Sequence, residues 1–240
     1  MAKKSKKTFK IIVGVIIFFT LPSLLLFGFV YFKYNETLPV GIQGEQADIL
    51  AKNMLDALNF EVYNNTNYIE WTFKNRHHYK WQKNKNICSV YWKDYKVILT
   101  LNNLSQSKAY IHSFKTEGKK AAELIDTAIK YFNNDSFWLV APYKIFDDGV
   151  QRALVKDENG NDALLITYTQ GGSTPGDSYL WLLDKNNKPK SFKMWVSILP
   201  IGGLEATWNN WTTTESGAVL PTFHKMLFLG IEMNHIHTSK

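Results

Sequence analysis

Tyr68-Ile69-Glu70-Trp71-Thr72-Phe73, His77-His78-Tyr79-Lys80-Trp81, Ile87-Cys88-Ser89-Val90-Tyr91-Trp92 and Val97-Ile98-Leu99-Thr100-Leu101 follow one another in close succession. Each run is short, rich in aromatic and β-branched side chains, and alternates with period two, the pattern of a strand with one buried face. Lys74-Asn75, the stretch 82–86 and Lys93-Asp94 separate them as turns. A spacing of about ten residues per strand predicts an antiparallel meander and not βαβ units. On period two, Trp71 and Phe73 share a face, whereas the neighbours His77 and His78 point to opposite faces.

Outward from this block, residues 109–114 read as a weaker fifth strand. On its N-terminal side, residues 45–59 form an amphipathic helix with Leu50, Met54, Leu55 and Leu58 at helical spacing. On its C-terminal side a second helix begins after Gly118. Ala121, Leu124, Ile125, Ala128, Ile129 and Phe132 line one face, and Asn133-Asn134 is read as its end. The apolar stretch 135–143 is then a separate helical turn pressed onto the sheet. Further strands are expected at 151–155, 164–169, 178–184, 189–196, 206–211 and near 223–232, with hairpin turns at 157–160 and 184–187. The expected fold class is α+β. It is a large curved antiparallel sheet of about ten strands, a half-barrel, with two or three helices covering one face.

Residues 11–32 are an unbroken apolar run with no charge, preceded by Lys3, Lys4, Lys6, Lys7 and Lys10 and followed by Lys33. At 1.5 Å per residue such a run crosses a hydrocarbon core of about 30 Å. Ile11, Phe18, Leu25 and Phe32 mark its length. The competing reading is a cleaved signal peptide, but the run is longer than such a core and ends without a small-residue cleavage site. The lysine asymmetry predicts a cytoplasmic N-terminus and an exported C-terminal part. The expected organisation is a basic tail at 1–10, a signal anchor at 11–33, a tether at 34–44 and an exported domain at 45–240. The expected location is a single pass through the inner membrane with the domain in the periplasm.

The net charge of +7 belongs to the anchor. Removing its six lysines from the 28 Lys and Arg leaves 22 against 21 Asp and Glu, so the exported part carries +1. A nucleic-acid binder needs a basic stripe on the domain itself, and none is legible. The one cysteine, Cys88, cannot form an intrachain disulfide, and its strand position reads as a half-buried inert thiol.

Several stretches carry a family resemblance. Ser178-Tyr179-Leu180-Trp181-Leu182-Leu183-Asp184 is followed by Asn187-Lys188-Pro189-Lys190-Ser191-Phe192, by Ala206-Thr207-Trp208-Asn209-Asn210-Trp211 and by Gly217-Ala218-Val219-Leu220-Pro221. This order, with the opening helix and meander, resembles the LolA/LolB-like outer-membrane lipoprotein carriers. Glu70-Trp71-Thr72-Phe73, Arg76-His77-His78-Tyr79-Lys80-Trp81 and the stretch 134–142 are similar to membrane-anchored relatives in flavobacteria-type bacteria. The resemblance spans most of residues 44–235. It implies a half-closed barrel with helices as a lid over an apolar cavity that carries acyl chains.

All eight tryptophans lie in the exported part. They read either as the core of a large sheet or as the lining of an apolar cavity. On the second reading Trp71, Phe73, Tyr79, Trp81, Trp92, Trp138, Trp181 and Trp195 are the ligand-binding set. The stretch 171–177 lacks the Gly-Lys-Ser/Thr ending of a phosphate loop and reads as a long hairpin loop. The apolar loop 198–204 is a packed hairpin or a rim that meets lipid or a partner. His224, His235 and His237 lack a convincing carboxylate partner, and no metal or cofactor is expected. No nucleophile–base arrangement is legible, so no catalytic residue is expected. The sequence predicts a membrane-tethered binder of lipid or lipoprotein acyl chains. The alternatives are a solid-cored interaction domain of the cell envelope and, further down, an envelope hydrolase. Membrane lipid is the expected partner, nucleic acid is not, and the oligomeric state is open.

Overall fold

In the computed structural model of the chain, residues 2–171 and 174–240 are described. Part of the glycine-rich stretch read as a hairpin loop, Gly172 and Ser173, lies outside them. The first helix, α1, spans Ala2–Tyr34 and includes a 26-residue apolar segment, Phe9–Tyr34, with none of it buried. By length and composition it fits a membrane anchor or a signal sequence.

The rest is α+β, as the residue periodicity predicts. Helix α2 (Glu45–Ala57) and the single turn α3 (Phe60–Asn64) lead into β1 (Tyr68–Phe73), β2 (His77–Gln82), β3 (Ile87–Trp92) and β4 (Tyr95–Thr100). Then come β5 (Lys108–Ile111), β6 (Phe114–Thr116) and the long helix α4 (Gly118–Val140). The second half holds β7 (Val150–Lys156), β8 (Asp162–Tyr168), β9 (Ser178–Leu183), β10 (Pro189–Trp195), β11 (Leu204–Thr207), β12 (Asn209–Thr213), β13 (Val219–Met226) and β14 (Leu229–Ser239).

All fourteen strands join one antiparallel sheet in the order β6-β5-β4-β3-β2-β1-β14-β13-β11-β10-β9-β8-β7, with β12 branching from β13. The sheet is open, and β6 and β7 are its edges. The count exceeds the expected ten because the segments at 109–114, 206–211 and 223–232 each hold two strands. Turns at His112-Ser113 and Leu227 and a break at Trp208 divide them.

Helix α4 also corrects the sequence reading. It continues through Asn133-Asn134 to Val140 and ends in a 3-10 turn at Ala141–Lys144. The apolar stripe continues through Leu124, Ala128, Phe132, Asp135 and Leu139, all buried. Packing of that stripe overrides the weak helix propensity of the two asparagines.

Helix α2 packs on β7 and β8, and α4 packs on β4, β5 and β13. One core fills the space between these helices and the sheet. A smaller cluster of Ala153, Val155, Ala163, Leu165 and Leu180, with Leu182 and Trp195 against it, lies outside that core. Its members alternate along β7, β8 and β9 with Leu154, Leu164 and Trp181 of the main core, so they occupy the outer face.

The stretch after α1 crosses this outer side as an ordered segment. Glu36 N–H donates to the Gly202 carbonyl at 2.9 Å, and Lys193 Nζ donates to the Glu36 carboxylate at 2.8 Å. Farther on, Ile42 and Leu154 exchange both backbone hydrogen bonds at 2.9 and 2.8 Å, which covers part of the β7 edge. Gly41 lies so close that a Cβ there would stand 2.6 Å from Ala153 Cβ. Only glycine permits that approach.

Candidate functional site

Helix α4 meets the sheet through two aromatic clusters. Toward β1–β3 it presents Tyr131 and Phe132. Trp71 and Tyr79, direct neighbours across β1 and β2, stack at 4.4 Å. Phe132 sits edge-on to Trp81 at 5.3 Å, and Tyr131 meets Trp92 at 5.7 Å. Toward β9–β13 the helix presents Phe137 and Trp138. Phe137 contacts Tyr179 at 4.5 Å and Phe192 at 5.7 Å, while Trp138 lies 5.2 Å from His224. Trp181 and Trp208 stack at 5.3 Å beneath them.

The structure therefore brings seven of the eight sequence-selected residues to the helix-covered core: Trp71, Phe73, Tyr79, Trp81, Trp92, Trp138 and Trp181. It does not bring Trp195 there. That ring packs against the outer cluster, and its Nε1 donates to the Glu36 carbonyl at 2.9 Å. The reason is alternation. Phe192 and Met194 of β10 point into the main core, so Trp195 faces the other way.

Between the two clusters sits a buried polar clamp. Asp135, 1% exposed, accepts from Tyr79 OH at 2.5 Å and pairs with His77 Nδ1 at 2.7 Å through Oδ2. Its Oδ1 accepts from Asn134 Nδ2 at 2.8 Å. Burial, and then the Asp135 carboxylate, push the Tyr79 phenol well above its ordinary range. The His77 ring also stacks on Tyr131 at 4.0 Å. The clamp fastens the middle of α4 to β2. A carboxylate on the apolar stripe of a helix is the sequence signal for it, and reading the helix as ended at Asn134 hides that signal.

His78 faces outward, as alternation requires, and bonds to Thr72 Oγ1 at 3.0 Å and Glu70 Oε1 at 3.1 Å. Desolvation lowers its pKa. His237 pairs with Glu215 at 3.2 Å on the surface, whereas His224 is buried in the second aromatic cluster. Its Nδ1 bonds to the Thr207 carbonyl at 2.8 Å, and burial lowers its pKa to about 4. Burial raises the Cys88 thiol well above the normal thiol range, which makes it unreactive.

Five buried nitrogens have no hydrogen-bond partner among the described residues. They are Nε1 of Trp71, Trp81, Trp181 and Trp208, and Nε2 of His224. Among the described residues, hollows at the surface include two of note. One of about 270 Å³ lies at the end of α2, lined by Lys52, Leu55, Asp56, Asn59, Phe60 and Glu61. The other, about 470 Å³, lies between Pro175–Asp177 and the β10–β11 loop, with Trp195, Val196, Leu199, Pro200 and Ile201 in its wall.

No protein-family model matches the chain, and no curated protein sequence matches it. Among solved structures the chain is similar to a domain from Vibrio parahaemolyticus that carries the provisional name of an outer membrane lipoprotein-sorting protein. The identity is 11%, the match covers 79% of this chain and 94% of that chain, and the TM-score is 0.35.

Proposed function

We propose that the chain is a membrane-tethered envelope protein that binds an apolar ligand, a lipid or lipoprotein acyl chain, between α4 and the sheet. The observation that carries this reading is the set of four buried indole nitrogens, of Trp71, Trp81, Trp181 and Trp208, without a partner among the described residues. A buried donor or acceptor left unpaired costs about 1–3 kcal/mol, and a plain core avoids such a set. An acyl chain headed by an ester or amide suits it. The carbonyl accepts from an indole N–H, and the chain lies along ring faces.

The protein acts as a binder and not as an enzyme on this reading. The imidazole–carboxylate pair most suggestive of catalysis, His77–Asp135, is spent on fastening α4 to β2. The second reading is an interaction domain with a solid core. It is favoured by the close stacking of Trp71 on Tyr79 and by the complete burial of Trp181 and Phe192.

Titration of the chain from Asn35 onward with fatty acids and lipopeptides separates the two. A ligand that enters the interior raises the melting temperature by mass action and alters tryptophan emission. Trp81→Ala then weakens ligand binding more than it weakens the fold. In a solid core the same change costs about 3–5 kcal/mol and no ligand effect exists to lose.

A further inference from the structure

The stretch Met194-Trp195-Val196-Ser197-Ile198-Leu199-Pro200-Ile201-Gly202-Gly203-Leu204 carries no charge, although Lys193 and Glu205 bracket it. It forms the end of β10, the loop and the start of β11. Its tip is apolar and open to solvent. Ile198 is 70% exposed and Pro200, two residues on, is also exposed, while Leu199 between them packs back against the main core.

The base of this loop is bonded to the two residues that follow α1. Gly202 N–H donates to Asn35 Oδ1 at 2.9 Å, Glu36 N–H donates to the Gly202 carbonyl at 2.9 Å, and Trp195 Nε1 donates to the Glu36 carbonyl at 2.9 Å. The seat is specific. A Cβ at Gly202 would come within 2.7 Å of the Glu36 carbonyl oxygen, and one at Gly203 within 2.6 Å of Glu36 Cβ. Asn35 directly follows the last residue of α1, Tyr34, so the loop base lies within one residue, about 3–4 Å of chain, of the helix end.

We infer that the β10–β11 loop is a membrane-contact surface that seats its Ile198–Pro200 tip in the interface of the bilayer holding α1. The occupant is the lipid surface itself. It follows from continuity, because a helix that spans a bilayer delivers its last turn to the interface, and this loop is hydrogen-bonded to the next two residues. Interfaces accept apolar and aromatic side chains without requiring charge. The two glycines explain why the loop stays at the anchor, and the uncharged run explains why it enters the interface without stranding an ion. The inference rests on the membrane-span reading of α1.

The test uses the full chain in phosphatidylcholine nanodiscs, spin-labelled at one introduced cysteine at a time. Native Cys88 is buried and escapes labelling. Three sites are compared: Ile198→Cys at the loop tip, Phe18→Cys within α1, and Phe114→Cys on β6, an 80%-exposed position nine strands from β10 in the sheet. Collisions with oxygen and with a water-soluble nickel chelate report lipid or water surroundings.

The expected result is lipid contact at positions 18 and 198 and water at position 114. Adding Gly203→Val, which dislodges Glu36, moves the label at 198 into water and leaves position 18 in lipid. Lipid at 18 with water at 198 overturns the inference and leaves the anchor reading standing. Water at 18 overturns both. Lipid at 198 and 114 alike overturns the claim that this loop, and not the whole domain, meets the bilayer.

Discussion

The two halves of the sheet solve the same packing problem in different ways. In β1–β6 consecutive strands pair in chain order, with full registers between β1 and β4. The aromatic cluster there is fixed to α4 by the clamp of Asp135, His77 and Tyr79. In β7–β13 the order is less regular. Strands β11 and β13 share the single register pair Ala206–Met226, and β12 branches off the sheet. Among the described residues, the aromatic cluster on this side holds no buried imidazole–carboxylate pair. It holds the His224 imidazole, bonded through Nδ1 to the Thr207 carbonyl, and two indoles whose Nε1 has no partner among the described residues. The first half is built to hold α4 in place. The second is held by apolar contact and by single hydrogen bonds, such as those that Tyr143 OH donates to the Leu58 and Val219 carbonyls at the end of α4, is joined more weakly, and adjoins the loop at the end of α1. A ligand that lifts α4 from the sheet meets least resistance on this second side.

The largest effect expected from this contrast is at the clamp. Asp135→Ala leaves the buried Tyr79 OH and the half-buried His77 Nδ1 without their acceptor, and losing two hydrogen bonds to a buried carboxylate costs about 3–5 kcal/mol. Urea unfolding of the chain from Asn35 onward measures it. A loss under 1 kcal/mol shows that the two halves are held alike.

The next effect belongs to the second half and depends on pH. The folded-state pKa of His224 is about 4, against about 6.5 for a free histidine. Between these values the unfolded chain binds a proton that the folded chain does not, so stability rises with pH across the window. It is fully present above 6.5 and is lost as pH falls toward 4, by about 3 kcal/mol at most. His224→Leu removes this part of the slope in a plot of melting temperature against pH. An unchanged slope between pH 6.5 and 4 rules out His224 as its source.

A smaller effect is expected on the outer side of the second half. Deleting residues 35–44 removes the Ile42–Leu154 pair and the Glu36 contacts. Several bonds worth about 1 kcal/mol each, less the entropy regained by the segment, give a loss of about 2 kcal/mol. Comparison of unfolding curves for chains beginning at Asn35 and at Glu45 checks it, and equal midpoints show that the tether merely links.

The smallest effect on stability, and the most informative, is Trp208→Phe. It keeps an aromatic ring against Trp181 and His224 and deletes an unpartnered N–H. The fold changes by less than about 1 kcal/mol, of either sign. Acyl-ligand affinity falls about tenfold, the worth of one hydrogen bond near 1.4 kcal/mol. Isothermal titration with the best ligand from the thermal screen reads this directly, and full affinity in the variant removes the indole from the binding scheme.

In the first half β1–β4 were legible in the sequence because Trp71, Phe73, Tyr79 and Trp81 follow strict alternation between recognisable turns, whereas the His112-Ser113 turn between β5 and β6 carries no glycine or asparagine to mark it. The second half was less so. Its extra hairpin turns at Leu227 and the break at Trp208 lack Gly-Asn or Asp-Gly chemistry, and Leu227 takes a left-handed φ of 53° that no propensity suggests. Trp195 shares its residue type with the interior tryptophans, but its position beside Met194 puts it on the opposite face. Asn133-Asn134 resembles a helix stop, which hides the place of Asp135 on the buried stripe of α4. The tether looked like a linker because Pro39, Gly41 and Gly44 are linker residues, whereas Gly41 serves a close backbone approach to Ala153.

The central claim is that an apolar chain binds between α4 and the sheet. Native mass spectrometry of the chain from Asn35 onward, purified without detergent from the envelope fraction of its host and followed by extraction of bound molecules, tests it most directly. The expected result is a stoichiometric adduct of lipid or acylated peptide, diminished in Trp208→Phe at equal folded yield. A protein that carries no apolar molecule, and acquires none when incubated with fatty acids and lipopeptides, contradicts it and leaves the solid-cored interaction domain.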